Sequence, residues 1–318
     1  MSATIFIDGE SGTTGLDLRA RLAARPDIAL ISLPPEACKD PGAKLAVMGE
    51  AQIVVLCLPD EAARETTALA DALGGESPRL LDASTAHRVA EGWVYGFPEL
   101  TPGQAENIAR ARRVANPGCY ATGAVALLRP LVDRKLLPAD LPLSIHAVSG
   151  YTGGGKAMIA AYEEGEAPAF EAYALGLEHK HLPEIERYAG LRRRPIFTPS
   201  VGNFAQGMLV FVPLFLADLP SRPRGSDLQA ALAEHYVASP YVKVVAAEAA
   251  GRIEPQSLNG TNDLELRVFS NEARGQAILV AKLDNLGKGA SGAAVQNLDL
   301  MLGKTALPSQ APAAAFAL

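Results

Sequence analysis

From Ala3 to about Ala115 the chain alternates short apolar runs with stretches of helical period. The runs Ala3–Asp8, Ile28–Leu33, Ile53–Leu58, Arg79–Asp82 and Arg112–Ala115 predict strands, and helices are predicted from near Thr14, Asp60 and Thr101. Strands separated in this way build a parallel sheet with helices on both faces. After Cys119 the pattern changes. A helix through Leu131 leads into longer strand-like runs at Leu143–Ser149, Met208–Leu219, Leu264–Phe269 and Ala277–Leu283. With fewer helices between them, these runs predict a mixed or antiparallel sheet. A final helical stretch, about Ala290 to Leu302, is expected to pack back on the first sheet, and no internal repeat is visible.

At 318 residues and 48% hydrophobic content the chain can bury a large core in one large or two medium domains. Its net charge of −6 argues against nucleic acid, which selects a basic face. The cluster Arg192–Arg194 reads as a solvated loop before Pro195. No apolar run approaches a membrane span; Met208–Leu219 is strand-sized and contains Pro213. Three cysteines, Cys38, Cys57 and Cys119, with no close pair and no leader pattern, suit a reducing compartment, so a cytoplasmic location is expected. The Ala- and Pro-rich tail from Lys304 is expected to be flexible.

The first strand runs into Gly9-Glu10-Ser11-Gly12-Thr13-Thr14-Gly15 and an amphipathic helix from Leu16. Glycine lets the backbone approach a pyrophosphate, and the helix N–H groups point at its charge. The spacing G-x-x-G-x-x-G differs from the commoner G-x-G-x-x-G, but the place, a first strand-to-helix turn, is that of a dinucleotide site. The expected cofactor contacts are therefore Gly9, Ser11, Gly12, Thr13, Thr14 and Gly15. The second strand ends Ser32-Leu33-Pro34-Pro35 without an acidic residue at its tip, which favours NADP(H) over NAD, with Thr13 and Ser32 as hydroxyls for the 2′-phosphate and Glu36 nearby. The expected fold class is α/β: a Rossmann-type parallel-sheet domain over 1–117, an α+β domain with a mixed or antiparallel sheet over 118–284, and a C-terminal helix over 285–318 returning to the first domain.

Cys119 lies in Asn116-Pro117-Gly118-Cys119-Tyr120-Ala121-Thr122, where a predicted strand gives way to a helix. A helix N-terminus favours the thiolate, so Cys119 is a candidate nucleophile; a small buried hydrophobe is the alternative. Two of five histidines fall in Glu178-His179-Lys180-His181-Leu182-Pro183-Glu184-Ile185. His181 is the preferred acid/base group and His179 the reserve. No third ligand at metal spacing accompanies them, so no metal is expected. Ser149-Gly150-Tyr151-Thr152-Gly153-Gly154-Gly155-Lys156 has the composition of an anion nest, or of a flexible connector. Arg88 is a candidate oxyanion ligand or a surface ion pair. Gly287–Gly292, opening another helix with Lys288, is a second loop facing the cofactor or a simple helix entry, with Asn285 and Gly287 as the expected contacts.

Taken together, Gly9–Gly15, Tyr95–Leu100, Asn116–Thr122, Ser149–Lys156, His179–Ile185, Gly202–Met208 and Asp284–Asn297 resemble the N-acetyl-gamma-glutamyl-phosphate reductases in their shorter form. The stretches span the chain from first strand to last helix. The Asn-Pro-Gly-Cys-Tyr-Ala-Thr run is highly specific; the glycine turn is shared with aspartate-semialdehyde dehydrogenases. Lys156 stands where the longer form usually has arginine. The resemblance implies a fold like the semialdehyde and glyceraldehyde-phosphate dehydrogenases, NADP(H), Cys119 as nucleophile, and acid/base catalysis from the His179/His181 segment. Arg88, Asn116, Ser149, Gly150, Lys156 and Glu184 are the expected substrate contacts.

The implied reaction is NADPH-dependent reduction of an acyl phosphate through a cysteine thioester, in arginine biosynthesis, by a homodimer or homotetramer. A sister reductase acting on aspartyl or aminoadipyl phosphate would use the same thiol and cofactor. A cysteine hydrolase would leave the glycine turn without a role, and an NADP-sensing regulator would leave the thiol without one.

Overall fold

In the computed structural model residues 2–304 are described, so the expected tail beyond Lys304 lies outside them. The chain forms two compact units, one holding everything up to Pro117 and from Ala290 on, the other Gly118–Gly289.

The first unit begins β1 (Ala3–Asp8), α1 (Thr13–Ala23), β2 (Ile28–Ile31), α2 (Pro41–Glu50), β3 (Ile53–Leu56), α3 (Asp60–Ala72), β4 (Arg79–Asp82), β5 (Val94–Tyr95), α4 (Gln104–Arg110) and β6 (Arg113–Ala115). Its sheet is wholly parallel, ordered β2-β1-β3-β4-β6-β5. Side chains alternate across it. Ile5, Ile7, Ile53 and Val55 pack with Leu18 and Leu22 of α1, while Phe6, Val54 and Leu56 pack with Val47 and Met48 of α2 and Ala63 and Ala70 of α3. Both faces are covered, which is why these strands read as unbroken apolar runs.

The second unit comprises α5 (Cys119–Asp133), β7 (Ser144–Gly150), α6 (Lys156–Glu163), β8 (Phe170–Ala172), α7 (Leu182–Ala189), β9 (Ile196–Gly202), β10 (Met208–Phe215), α8 (Gly225–His235), β11 (Val242–Val244), β12 (Leu264–Asn271) and β13 (Gln276–Leu283). Its mixed sheet is ordered β11-β12-β13-β10-β7-β9-β8. α5 is buried along almost its whole length and lies on this sheet so closely that a Cβ on Gly123 would come 2.8 Å from Val210. β10 ends at Phe215, earlier than the apolar run to Leu219, because Leu216–Asp218 turn into a 3-10 helix. Pro213 is tolerated because β7 pairs with β10 only as far as Phe211, leaving that side of the strand unpaired.

α9 (Gly292–Met301) returns the chain to the first unit. Ala294, Val295, Leu298 and Met301 join the cluster around Ile5 and Leu18. Arg25 bridges Asp27 and Asp299, and Arg79 donates to the Met301 carbonyl. No helix among the described residues is long and apolar enough to cross a membrane.

Leu298 is fully buried in this cluster. Leu298→Ala is expected to remove about 2–5 kcal/mol of stability, read from the urea unfolding midpoint.

Candidate active site

In the first unit, β1 ends in the glycine turn. Gly9 has φ of +87°, and a Cβ there would stand 2.4 Å from the Cys57 carbonyl; one on Gly15 would stand 2.4 Å from the Gly9 carbonyl. Only glycine permits this fold of the backbone. α1 then opens with no side-chain cap at Gly12 and no acidic residue in its first turn. Its N–H groups therefore face the turn with no internal anion, which fits the pyrophosphate of a dinucleotide. Ser11 is exposed, while Thr13 and Thr14 are half-buried. Ser32 sits just past the end of β2, where it meets Glu10 and Arg19, not Glu36.

At the C-terminal ends of β4 and β6 a buried network fixes the residues leading to the thiol. Asp82 accepts the Ser84 N–H and hydroxyl and pairs with His87 Nδ1 at 2.7 Å; His87 stacks on Trp93. The adjacent Arg88 donates Nε to the Asn116 carbonyl at 3.0 Å. The Asn116 amide donates to the Ala290 carbonyl and accepts from Asn297, which also donates to the Gly96 carbonyl. Asn116, expected among the substrate contacts, thus uses both ends of its amide as a brace within this unit.

In the second unit Cys119 is the first residue of α5, after Gly118, with no side chain capping the helix. The positive end of the helix dipole therefore lies at this residue. The Gly118 N–H donates to Glu184 Oε2 at 3.1 Å, from the first turn of α7. The backbone of Gly289 passes so near that a Cβ there would come 2.8 Å from that of Cys119.

His181 caps α7 and is buried. Its backbone N–H donates to His179 Nδ1 at 3.1 Å. That bond requires a lone pair on Nδ1, so the proton of neutral His179 resides on Nε2. Nε2 faces the Tyr173 hydroxyl at 3.5 Å, Tyr173 donates to Tyr120, and Tyr120 donates to the Ser200 carbonyl at 2.9 Å. The Tyr120 ring touches both imidazoles, with centroids 5.9 and 5.8 Å away. Burial, with a smaller contribution from Cys119, pushes Tyr173 up to about 12 and Tyr120 higher still, so both remain neutral donors. The loop between Tyr173 and His179 carries two non-glycine residues, Ala174 and Leu177, in the left-handed region.

The remaining expected contacts lie in the same unit. Ser149 and Gly150 close β7, and Lys156 is exposed at the start of α6. Asn285 accepts the Gly207 N–H and donates to Thr152, while Gly287 packs against the Thr261 carbonyl. Among the described residues no group of three His, Cys, Asp or Glu could hold a metal. Tyr173, Arg19 and Asn297 were missed as candidate residues: Tyr173 is in no motif, Arg19 is an ordinary helix arginine by spacing, and Asn297 looks like one more polar position of α9.

Two such centres, a glycine-turn parallel-sheet unit and a thiol-bearing mixed-sheet unit, define the semialdehyde dehydrogenase class. Residues 119–285 match the family model described as semialdehyde dehydrogenase, dimerisation domain. Aspartate semialdehyde dehydrogenase II of Vibrio cholerae, solved with ASA, shares the fold at a TM-score of 0.70 and 14% identity, covering 95% of this chain and 99% of that one. Aspartate semialdehyde dehydrogenase of Candida albicans, solved with NADP, does so at 0.64 and 14%, covering 96% and 100%. The N-acetyl-gamma-glutamyl-phosphate reductase of Chelativorans sp. is 56% identical over 95% of this chain and 99% of its own length. That of Burkholderia cenocepacia is 53% identical over 94% and 97%. The chain belongs to the N-acetyl-gamma-glutamyl-phosphate reductase family.

The thiols differ in environment. Burial, and then the charges of Asp82 and Asp8, push Cys57 up to about 12. At pH 8 iodoacetamide is expected to label Cys119 and spare Cys57, with Cys57 reacting only as pH rises towards 12, as read by peptide mass mapping.

Proposed function

We propose that this chain reduces N-acetyl-gamma-glutamyl phosphate to N-acetylglutamate 5-semialdehyde and phosphate, with NADPH, in arginine biosynthesis. The observation that carries the reading is Cys119 as the first residue of a buried, uncapped helix, with His179 and His181 packed around the ring of the next residue, Tyr120. Family membership supplies the substrate, and the glycine turn of the first unit fits the nucleotide.

The Cys119 thiolate attacks the acyl carbon, phosphate departs, and a thioester remains on sulfur. NADPH, when bound, supplies a hydride. His181 gives a proton to the carbonyl oxygen as negative charge develops there and takes it back as the thiohemiacetal collapses to aldehyde and thiolate. Backbone N–H groups at the start of α5 stabilise that charge. His179 acts through its bond to the His181 backbone and not on substrate. Arg88, Ser149, Gly150 and Lys156 are the proposed anion and substrate contacts, and Glu184 holds the Gly118 turn. Three cysteines with no disulfide among the described residues support a reducing, cytoplasmic setting.

The same unit offers a surface for a second copy. Phe269, Ile278 and Pro213 stand in register across β12, β13 and β10, beside the exposed Phe215. An exposed apolar row on a unit matched as a dimerisation domain is the proposed homo-oligomer interface. Ile278→Glu is expected to shift the protein to monomer in sedimentation velocity.

Phosphate- and NADP-dependent oxidation of N-acetylglutamate semialdehyde tests the chemistry. Wild type is expected to be active and Cys119→Ala inactive; measurable Cys119→Ala turnover would overturn the thioester route. His181→Gln is expected to lower kcat by about 10²–10⁴-fold, and His179→Gln by less.

A further inference from the structure

We propose that Arg19 and Ser32 form the grip for a ribose 2′-phosphate and that Glu10 stands in for that phosphate while no nucleotide is bound. The inference rests on the NADPH reading above. Arg19 Nη1 donates to Glu10 Oε2 at 2.6 Å and to Ser32 Oγ at 2.8 Å, and the Ser32 hydroxyl donates to the same Glu10 oxygen at 2.9 Å. One carboxylate oxygen thus collects a guanidinium and a hydroxyl, the pair of donors a phosphate oxygen takes.

The location fits. In parallel sheets of this kind the tip of the second strand, about 20 residues beyond the glycines, faces the adenosine ribose. An acidic residue there holds the 2′-hydroxyl, whereas a nearby arginine accommodates a 2′-phosphate. Here the tip presents Ser32, and the guanidinium arrives from α1, one turn beyond Gly15. Glu10 is the acid in the neighbourhood, but it comes from the glycine turn itself and is already committed to Arg19.

The Arg19–Glu10 pair is partly open to solvent, with side chains 44% and 28% exposed. Such pairs are weak, so releasing Glu10 costs little. A phosphate monoester carries close to two negative charges at neutral pH, and the arginine fork can bind two of its oxygens, so it outcompetes a single carboxylate. A nucleotide lacking the 2′-phosphate has nothing to offer Arg19 in exchange. Glu10 then stays in place and crowds the ribose. The triad therefore selects for the phosphorylated nucleotide and against the other.

Isothermal titration of the whole apo protein with adenosine 2′,5′-bisphosphate and with 5′-AMP tests this without turnover. Wild type is expected to bind the bisphosphate more tightly by about tenfold or more. Arg19→Ala is expected to erase that preference while leaving the melting temperature unchanged. Glu10→Gln, which keeps the side-chain size, is expected to tighten the bisphosphate severalfold. If wild type prefers the bisphosphate and Arg19→Ala keeps that preference, the grip is elsewhere and the NADPH reading stands. Weaker bisphosphate binding by Glu10→Gln would overturn its role as a stand-in. A wild-type preference for 5′-AMP would overturn both this inference and the NADPH reading.

Discussion

Glu184 is almost wholly buried, and a carboxylate out of water is costly unless hydrogen bonds replace what water supplied. It accepts the Gly118 N–H and so fixes the turn that delivers Cys119 to the head of α5. Because Glu184 belongs to the first turn of α7, and His181 caps that helix, the thiol and the imidazole hang from one rigid frame. α5 itself is buried against the mixed sheet, so the frame has little freedom to drift. Side chains held in this way have less rotamer freedom left to lose, which is where much of the benefit of positioning originates.

The first unit applies the same logic. Asn116 is tied to Ala290 and Asn297, and Asn297 crowds Gly96, where a Cβ would come 2.4 Å from its amide nitrogen. Asp82, His87 and Trp93 hold the loop that brings Arg88 to the Asn116 carbonyl. Asn116, which looks like a ligand contact in the sequence, here fastens the end of β6 to α9.

What the sequence revealed follows from which signals are local. The parallel strands were legible because burial on both faces leaves plain apolar runs, as in Ile53–Leu56. The candidate nucleophile stands out in the sequence because a strand-to-helix turn marked by Pro117 and Gly118 is a local feature. α2 was overlooked although Asp40 caps it and Pro41 opens it, since one short turn signal between two strands carries little weight by itself. β9 was also missed, because Pro199 interrupts an otherwise good strand pattern. The hydrogen bonds of Tyr173 and Arg19 depend on how the chain folds back in space, and no spacing rule announces them. Asn116 and Asn285 illustrate the converse: an amide in a glycine-rich motif suggests a ligand, yet tertiary hydrogen bonds engage both ends of each.

The return of α9 has a consequence for how the molecule is made. Ile5, Leu18 and Val114 share a cluster with Leu298 and Met301, so one side of the first sheet stays uncovered until Leu298 and Met301 have left the ribosome. The segment from Gly118 to Gly289 is complete earlier and can condense as an inserted body while the amino-terminal sheet waits with an open flank. Premature termination before Leu298 would therefore release a product whose exposed greasy flank marks it for chaperones or proteolysis, even though its thiol-bearing half is finished.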